Sequence, residues 1–235
     1  MKKNIILLCS LIMMPILTMA HGYWLEVKGS GKAGEPVKVQ IFYGEYNNQG
    51  RMKGKSLDKM ADIKLFVIDE AGNRSDIQTA QTETHWEGSF TPKTDGLYQV
   101  LGINETREVQ DWTKHNLGIV RPMQYLRTTY LVGKSSNSQK NTNFIDIIAS
   151  ESDNGVTLTA FKNNVPADKA KLTVISPDGW EKAKITSERG RASFVPITKG
   201  LYLIESEIID KTPGEYKGKP YDSIRYHVET TIEIK

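Results

Sequence analysis

Ser89-Phe90-Thr91-Pro92 followed by Gly96-Leu97-Tyr98 returns further along the chain as Ser193-Phe194-Val195-Pro196 followed by Gly200-Leu201-Tyr202. Upstream of each block lies a second match, Lys64-Leu65-Phe66-Val67-Ile68 with Gly72 against Lys171-Leu172-Thr173-Val174-Ile175 with Gly179. The offsets are 107 and 104, so two separate blocks keep their order and nearly their spacing. A duplicated unit of about a hundred residues accounts for this.

Each copy carries strand signals, namely short β-branched and aromatic runs punctuated by Gly, Pro, Asn and Asp. Val37 to Tyr43 alternates with period two before Gly44, and Val156 to Phe161 does so before Asn163-Asn164. The Gly-x-Tyr after Pro in both copies has the form of the tyrosine corner that enters the sixth strand of an immunoglobulin-like sandwich. Helix is expected only as a turn or two, in Ser56 to Ala61 or near Asp111 to Asn116. The expected fold is all-β, with two tandem immunoglobulin-like or transthyretin-like sandwiches at 21–133 and 144–235. The polar stretch 134–143 is expected to join them.

Residues 1–20 read as a secretory signal: Lys2 and Lys3, an apolar run from Ile5 to Leu17, then Thr18-Met19-Ala20. The run is too short for a membrane anchor, and no second apolar stretch follows. Cleavage after Ala20 makes His21 the first residue, removes Cys9, the only cysteine, and lowers the formal charge from +3 to +1. A periplasmic or secreted protein without disulfides is expected. With no basic excess, nucleic acid is a poor partner.

His21 at a free terminus has two donors, an α-amine of reference pKa about 7.7–8.0 and its imidazole, which can chelate one metal ion together. A further imidazole completes a set of three nitrogens that suits Cu(II) and accepts Ni(II) or Co(II). On an immunoglobulin-like strand count, His21, Glu45, His85 and His115 fall at one end of the first sandwich. His85 and His115 are the candidate partners, with Glu45 as an oxygen ligand or support. That end is expected to stay open to solvent. His227, alternating with Tyr226 and Val228, reads as an outward-facing structural residue. Gly29 to Gly34 fits a dinucleotide fingerprint but leads into Pro36 and a strand, so it reads as a turn. No nucleophile elbow is visible, and no catalytic residue is assigned.

His21-Gly22-Tyr23-Trp24-Leu25-Glu26, Gly34-Glu35-Pro36-Val37 to Gly44-Glu45, Tyr125 to Gly133, Pro177-Asp178-Gly179-Trp180 and Gly214 to Gly218 resemble an exported bacterial family labelled as NikM-type nickel- or cobalt-uptake periplasmic components. The resemblance implies a β-sandwich fold, a transition-metal role and a membrane transporter or envelope protein as partner. Two other readings stay open. One is a metal-free module that binds a carbohydrate, a peptide or an envelope partner. The other is a copper-dependent polysaccharide oxygenase, whose chitin-active members also open with His-Gly-Tyr.

Overall fold

A computed structural model of the chain describes residues 22–46, 50–135, 138–187 and 189–235. The expected signal, its cleavage site and His21 lie outside the described residues. The chain is all-β. Its first half forms β1 (Gly22–Lys28), β2 (Val37–Glu45), β3 (Gly50–Arg51), β4 (Lys64–Ile68), β5 (Arg74–Ile77), β6 (Thr79–Gln81), β7 (Trp86–Phe90), β8 (Gly96–Asn104), β9 (Gln110–Asp111) and β10 (Ile119–Val132). The second forms β11 (Ile145–Ser152), β12 (Gly155–Lys162), β13 (Val165–Pro166), β14 (Lys171–Ile175), β15 (Glu181–Ile185), β16 (Arg191–Phe194), β17 (Gly200–Asp210), β18 (Gly214–Tyr216), β19 (Lys219–Tyr221) and β20 (Ser223–Ile234). Short 3-10 turns occupy Gly54–Met60, which overlaps the expected Ser56 to Ala61 but starts two residues earlier, and Thr113–His115, within the second stretch where helix was expected.

Both tyrosine corners form, and they match. Tyr98 donates its hydroxyl to the carbonyl of Thr94 at 2.8 Å, and Tyr202 donates to that of Thr198 at 2.9 Å. In each, the amide of the same threonine donates back to the tyrosine oxygen at 3.2 Å. The Asn163-Asn164 turn has φ of 49° and 64°, the double left-handed geometry that suits a right-twisted hairpin.

The halves do not sit end to end. One sheet runs β15-β14-β17-β20-β10-β8-β4-β5 through both of them, because the last strands β10 and β20 pair in parallel, Val120 opposite Ser223 through Arg127 opposite Thr230. β10 has the length to do this: residues 124–132 pair with β8 while residues 120–127 pair with β20. Two strand edges that would otherwise face water are thereby closed.

Side chains alternate across a strand, so the shared sheet serves a different core on each face. Leu126 and Val132 of β10 enter a core with Leu25, Ile41, Leu65 and Val100 beneath the sheet β1-β2-β7-β6. Met123 and Tyr125 of the same strand enter a second core with Ile147, Leu158, Tyr202 and Val228 beneath the sheet of β11, β12 and β16. β1 is consequently covered on both sides. Tyr23 and Leu25 face the first core, whereas Trp24, fully buried, stacks on Phe42 and packs against Leu203 of β17. Each such fully buried apolar side chain stabilises the fold by roughly 1.5–3 kcal/mol.

A buried acid and histidine cluster where the two halves meet

Glu229 lies on β20, on the face turned away from its own core and toward β1. It is 1% exposed. Its Oε1 accepts the backbone N–H of Tyr23 at 3.3 Å and meets Nδ1 of His227 at 2.9 Å, and its Oε2 accepts from the Gln124 amide. Directly across the ladder from Glu229 stands Glu205 of β17, whose carboxyl group makes no hydrogen bond with a described residue. Gly22, at the start of β1, closes this cluster from the first half. A Cβ placed on it would lie 3.9 Å from one carboxylate oxygen of each glutamate, so the backbone passes close to both acids.

The chemistry of the cluster follows from burial and like charge. Burial raises the Glu205 carboxyl to about 7; the neighbouring imidazole of His227 opposes this and the Glu229 carboxylate adds to it. For His227 burial works against the proton, but Glu229, with Glu205 and Glu207 behind it, outweighs burial and raises the imidazole to about 9. Near neutral pH the cluster therefore pairs a protonated imidazole with one carboxylate and a second, partly ionised carboxyl. Next to it, Arg225 is engaged by Glu207 and stacks at 5.4 Å on Trp112, which Arg107 approaches at 6.0 Å from the first half.

The metal candidates named from the sequence are placed as follows. Gly22 pairs with Gly44, which brings Glu45 to the end where β1 begins; its carboxylate rests against Gly50. His85 lies on the far face of β2, with Nε2 2.7 Å from the Gln40 amide and 3.4 Å from Glu87 and Nδ1 2.9 Å from the Thr84 hydroxyl. Its ring packs against Phe42 at 5.1 Å. His115 is exposed and ends the turn that Trp112 opens. Among the described residues no three His, Cys, Asp or Glu side chains are grouped so as to hold a metal ion. His85, His115 and Glu45 are accordingly not drawn into one centre.

Two expectations are corrected. The end of the first half where β1 starts is not open: Gly22 is buried, because the parallel pairing of β10 with β20 lays the second half against it. His227 does alternate with Tyr226 and Val228, but the face it occupies looks into the junction, and its side chain is 30% exposed. Glu229 shares the side of His227 that reads as outward-facing, and neither it nor Glu205 and Gln124 is a site candidate in the sequence, since polar residues at every second strand position are also what a solvated face shows.

The opposite face of the junction holds a different polar group. Arg127 of β10 and Asp146 of β11, both with fully buried side chains, form a two-pronged ion pair at 2.7 and 2.6 Å. Gln99 and the carbonyl of Lys140 each take a further guanidinium proton at 2.9 Å, and the amides of Thr142 and Ile147 donate to the carboxylate. Residues 139–143 are in this way tied to the pair. No helix among the described residues is long and apolar enough to cross a membrane. No protein-family model and no curated protein matches the chain.

Proposed function

We propose that the chain is exported, loses residues 1–20, and binds one transition-metal ion, Cu(II), Ni(II) or Co(II), with the amine and imidazole of His21 set against the cluster of Glu205, His227 and Glu229. The protein is then a non-enzymatic carrier in the periplasm or outside the cell, handing its ion to a membrane transporter or envelope partner. The observation behind this reading is the position of Gly22, the residue next to His21, against two carboxylates and an imidazole drawn from the other half of the chain. Mixed nitrogen and oxygen donors suit these ions. The described side chains form no metal group by themselves, so in this reading binding depends on the terminal residue. Glu205 has carboxylate oxygens to spare, and His227 releases its proton when an ion takes the imidazole.

The test is calorimetric and paramagnetic-resonance titration of Cu(II) and Ni(II) into protein that begins at His21 and into protein with one glycine ahead of it. Tight binding by the first form and a loss of about a hundredfold in the second are expected. Glu205→Gln or His227→Ala, in the form beginning at His21, should weaken binding by about 10–100-fold. Equal binding by the two N-terminal forms would overturn the proposal.

A further inference from the structure

The two halves differ in how their sandwich ends are filled. Between β2 and β4 the chain has 18 residues, and the 3-10 turn within them buries Leu57 and Met60 in the first core, with Ile63 close behind. Trp86 fastens that plug by donating to the Leu57 carbonyl at 3.0 Å. The corresponding connection from β12 to β14 has only eight residues, a tight Asn163-Asn164 turn and the two-residue β13, and in place of a bulky plug offers the second core only the small, partly buried side chains of Ala167 and Ala170. The strands beside it also part. β4 and β8 pair over five residues, up to Lys64 opposite Ile103, whereas β14 and β17 pair over three and stop at Thr173 opposite Glu205. Beyond that point the β14 side of β17 pairs with no strand among the described residues.

What remains is a groove of about 620 Å³ between the β12–β13 end and the last residues of β17. Val165 and Ile209 in its wall are 63% and 45% exposed, unlike Leu57 and Met60, which are 0% and 1% exposed. Lys162, Lys169 and Lys171 line it, and none is in an ion pair with a described residue. Of the acids in the lining, Glu207 is engaged by Arg225, leaving Asp168 against three lysines.

We propose that this groove docks a segment of a partner protein that supplies the missing plug: two apolar side chains three residues apart, as Leu57 and Met60 are, set among acidic residues. The first half shows what such a segment does at this place in the sandwich, and the unpaired lysines select its charge. The inference is independent of metal binding, and its test is run in the presence of a chelator.

The probe is a labelled synthetic peptide of residues 54–63 carrying Lys55→Glu and Lys59→Glu, titrated with the intact mature protein by fluorescence anisotropy. Saturable binding is expected. It should be at least about tenfold weaker for the peptide with its natural lysines and for one in which the Leu57 and Met60 positions are serine. A Val165→Asp, Ile209→Asp protein should lose binding while keeping its circular dichroism and melting temperature, because both residues are exposed. Absence of saturable binding, equal binding of the three peptides, or unchanged binding by the substituted protein would overturn the inference. So would sedimentation showing a dimer that excludes the peptide, since the occupant would then be a second copy of the chain.

Discussion

Arg127 and Glu229 hold the same place in the two halves, each three residues before the strand partner of its corner tyrosine. Each points away from its own core toward the first strand of the other half. There the likeness stops. Arg127 donates to Asp146, Gln99 and the Lys140 carbonyl, Asp146 in turn accepts from the amides of Thr142 and Ile147, and every charge is answered. Glu229 meets another acid across the ladder, a histidine, an amide side chain and the start of β1, and the surroundings are left with carboxylate to spare. The matching halves make two equivalent joints; residues that balance charge turn one into a clamp, and in the other two glutamates share one imidazole. The same contrast recurs at the sandwich ends, where one half carries its own plug and the other an open groove.

Breaking the clamp should have the largest effect on stability. Arg127→Ala leaves Asp146 buried without a counter-charge, and a loss of about 3–5 kcal/mol is expected in guanidinium unfolding. The double change Arg127→Met with Asp146→Leu should recover most of that loss, because removing both charges together also removes their desolvation cost. A double variant as unstable as the single one would show that the clamp acts through the specific geometry of its hydrogen bonds.

The unbalanced joint should instead reveal itself through pH. Glu205 holds its proton to about pH 7 in the folded chain, against 4.5 for the ordinary carboxyl, so its favourable contribution is complete below pH 4.5 and is lost as pH rises through 7. His227 has the same sign. Its contribution is complete below pH 6.5 and is lost as pH rises through 9. Metal-free protein should therefore melt at progressively lower temperature between pH 5 and pH 9. Glu205→Gln should flatten the lower part of that decline and raise the melting temperature at pH 8 by several degrees. A profile indistinguishable from that of the unsubstituted protein would place the Glu205 charge in solvent and sink the contrast between the joints.

The smallest effects sharpen the comparison by showing what the halves still share. Tyr98→Phe and Tyr202→Phe each remove a corner hydroxyl bonded to the backbone N–H and carbonyl of one threonine, Tyr98 having in addition the Thr94 hydroxyl at 3.4 Å, and each should cost about 1 kcal/mol by the same measurement. Unequal losses would mean that the two cores differ in rigidity as well as in their polar joints.

Much of this was legible in the residues. The period-two runs marked the strands, Gly-x-Tyr marked both corners, and the Asn163-Asn164 pair marked a hairpin turn, because each is set by neighbours close along the chain. The cluster was not. Alternation along β20 shows that Arg225, His227 and Glu229 face away from the second core. It cannot show that another part of the molecule covers that face. Trp24 and Phe42 gave a partial hint, since large aromatics on the outer side of β1 and β2 need a surface to cover them, and that surface is β17.

The sequence by itself determined an all-β chain with a duplicated pattern and matching corners, since strand period and turn chemistry are local properties of the backbone. Only the tertiary structure decided that β10 and β20 pair in parallel, and with that pairing which residues meet Gly22. A strand edge offers the same row of N–H and C=O groups to any partner, and the choice among partners is made by the side chains that pack above and below the joined sheet.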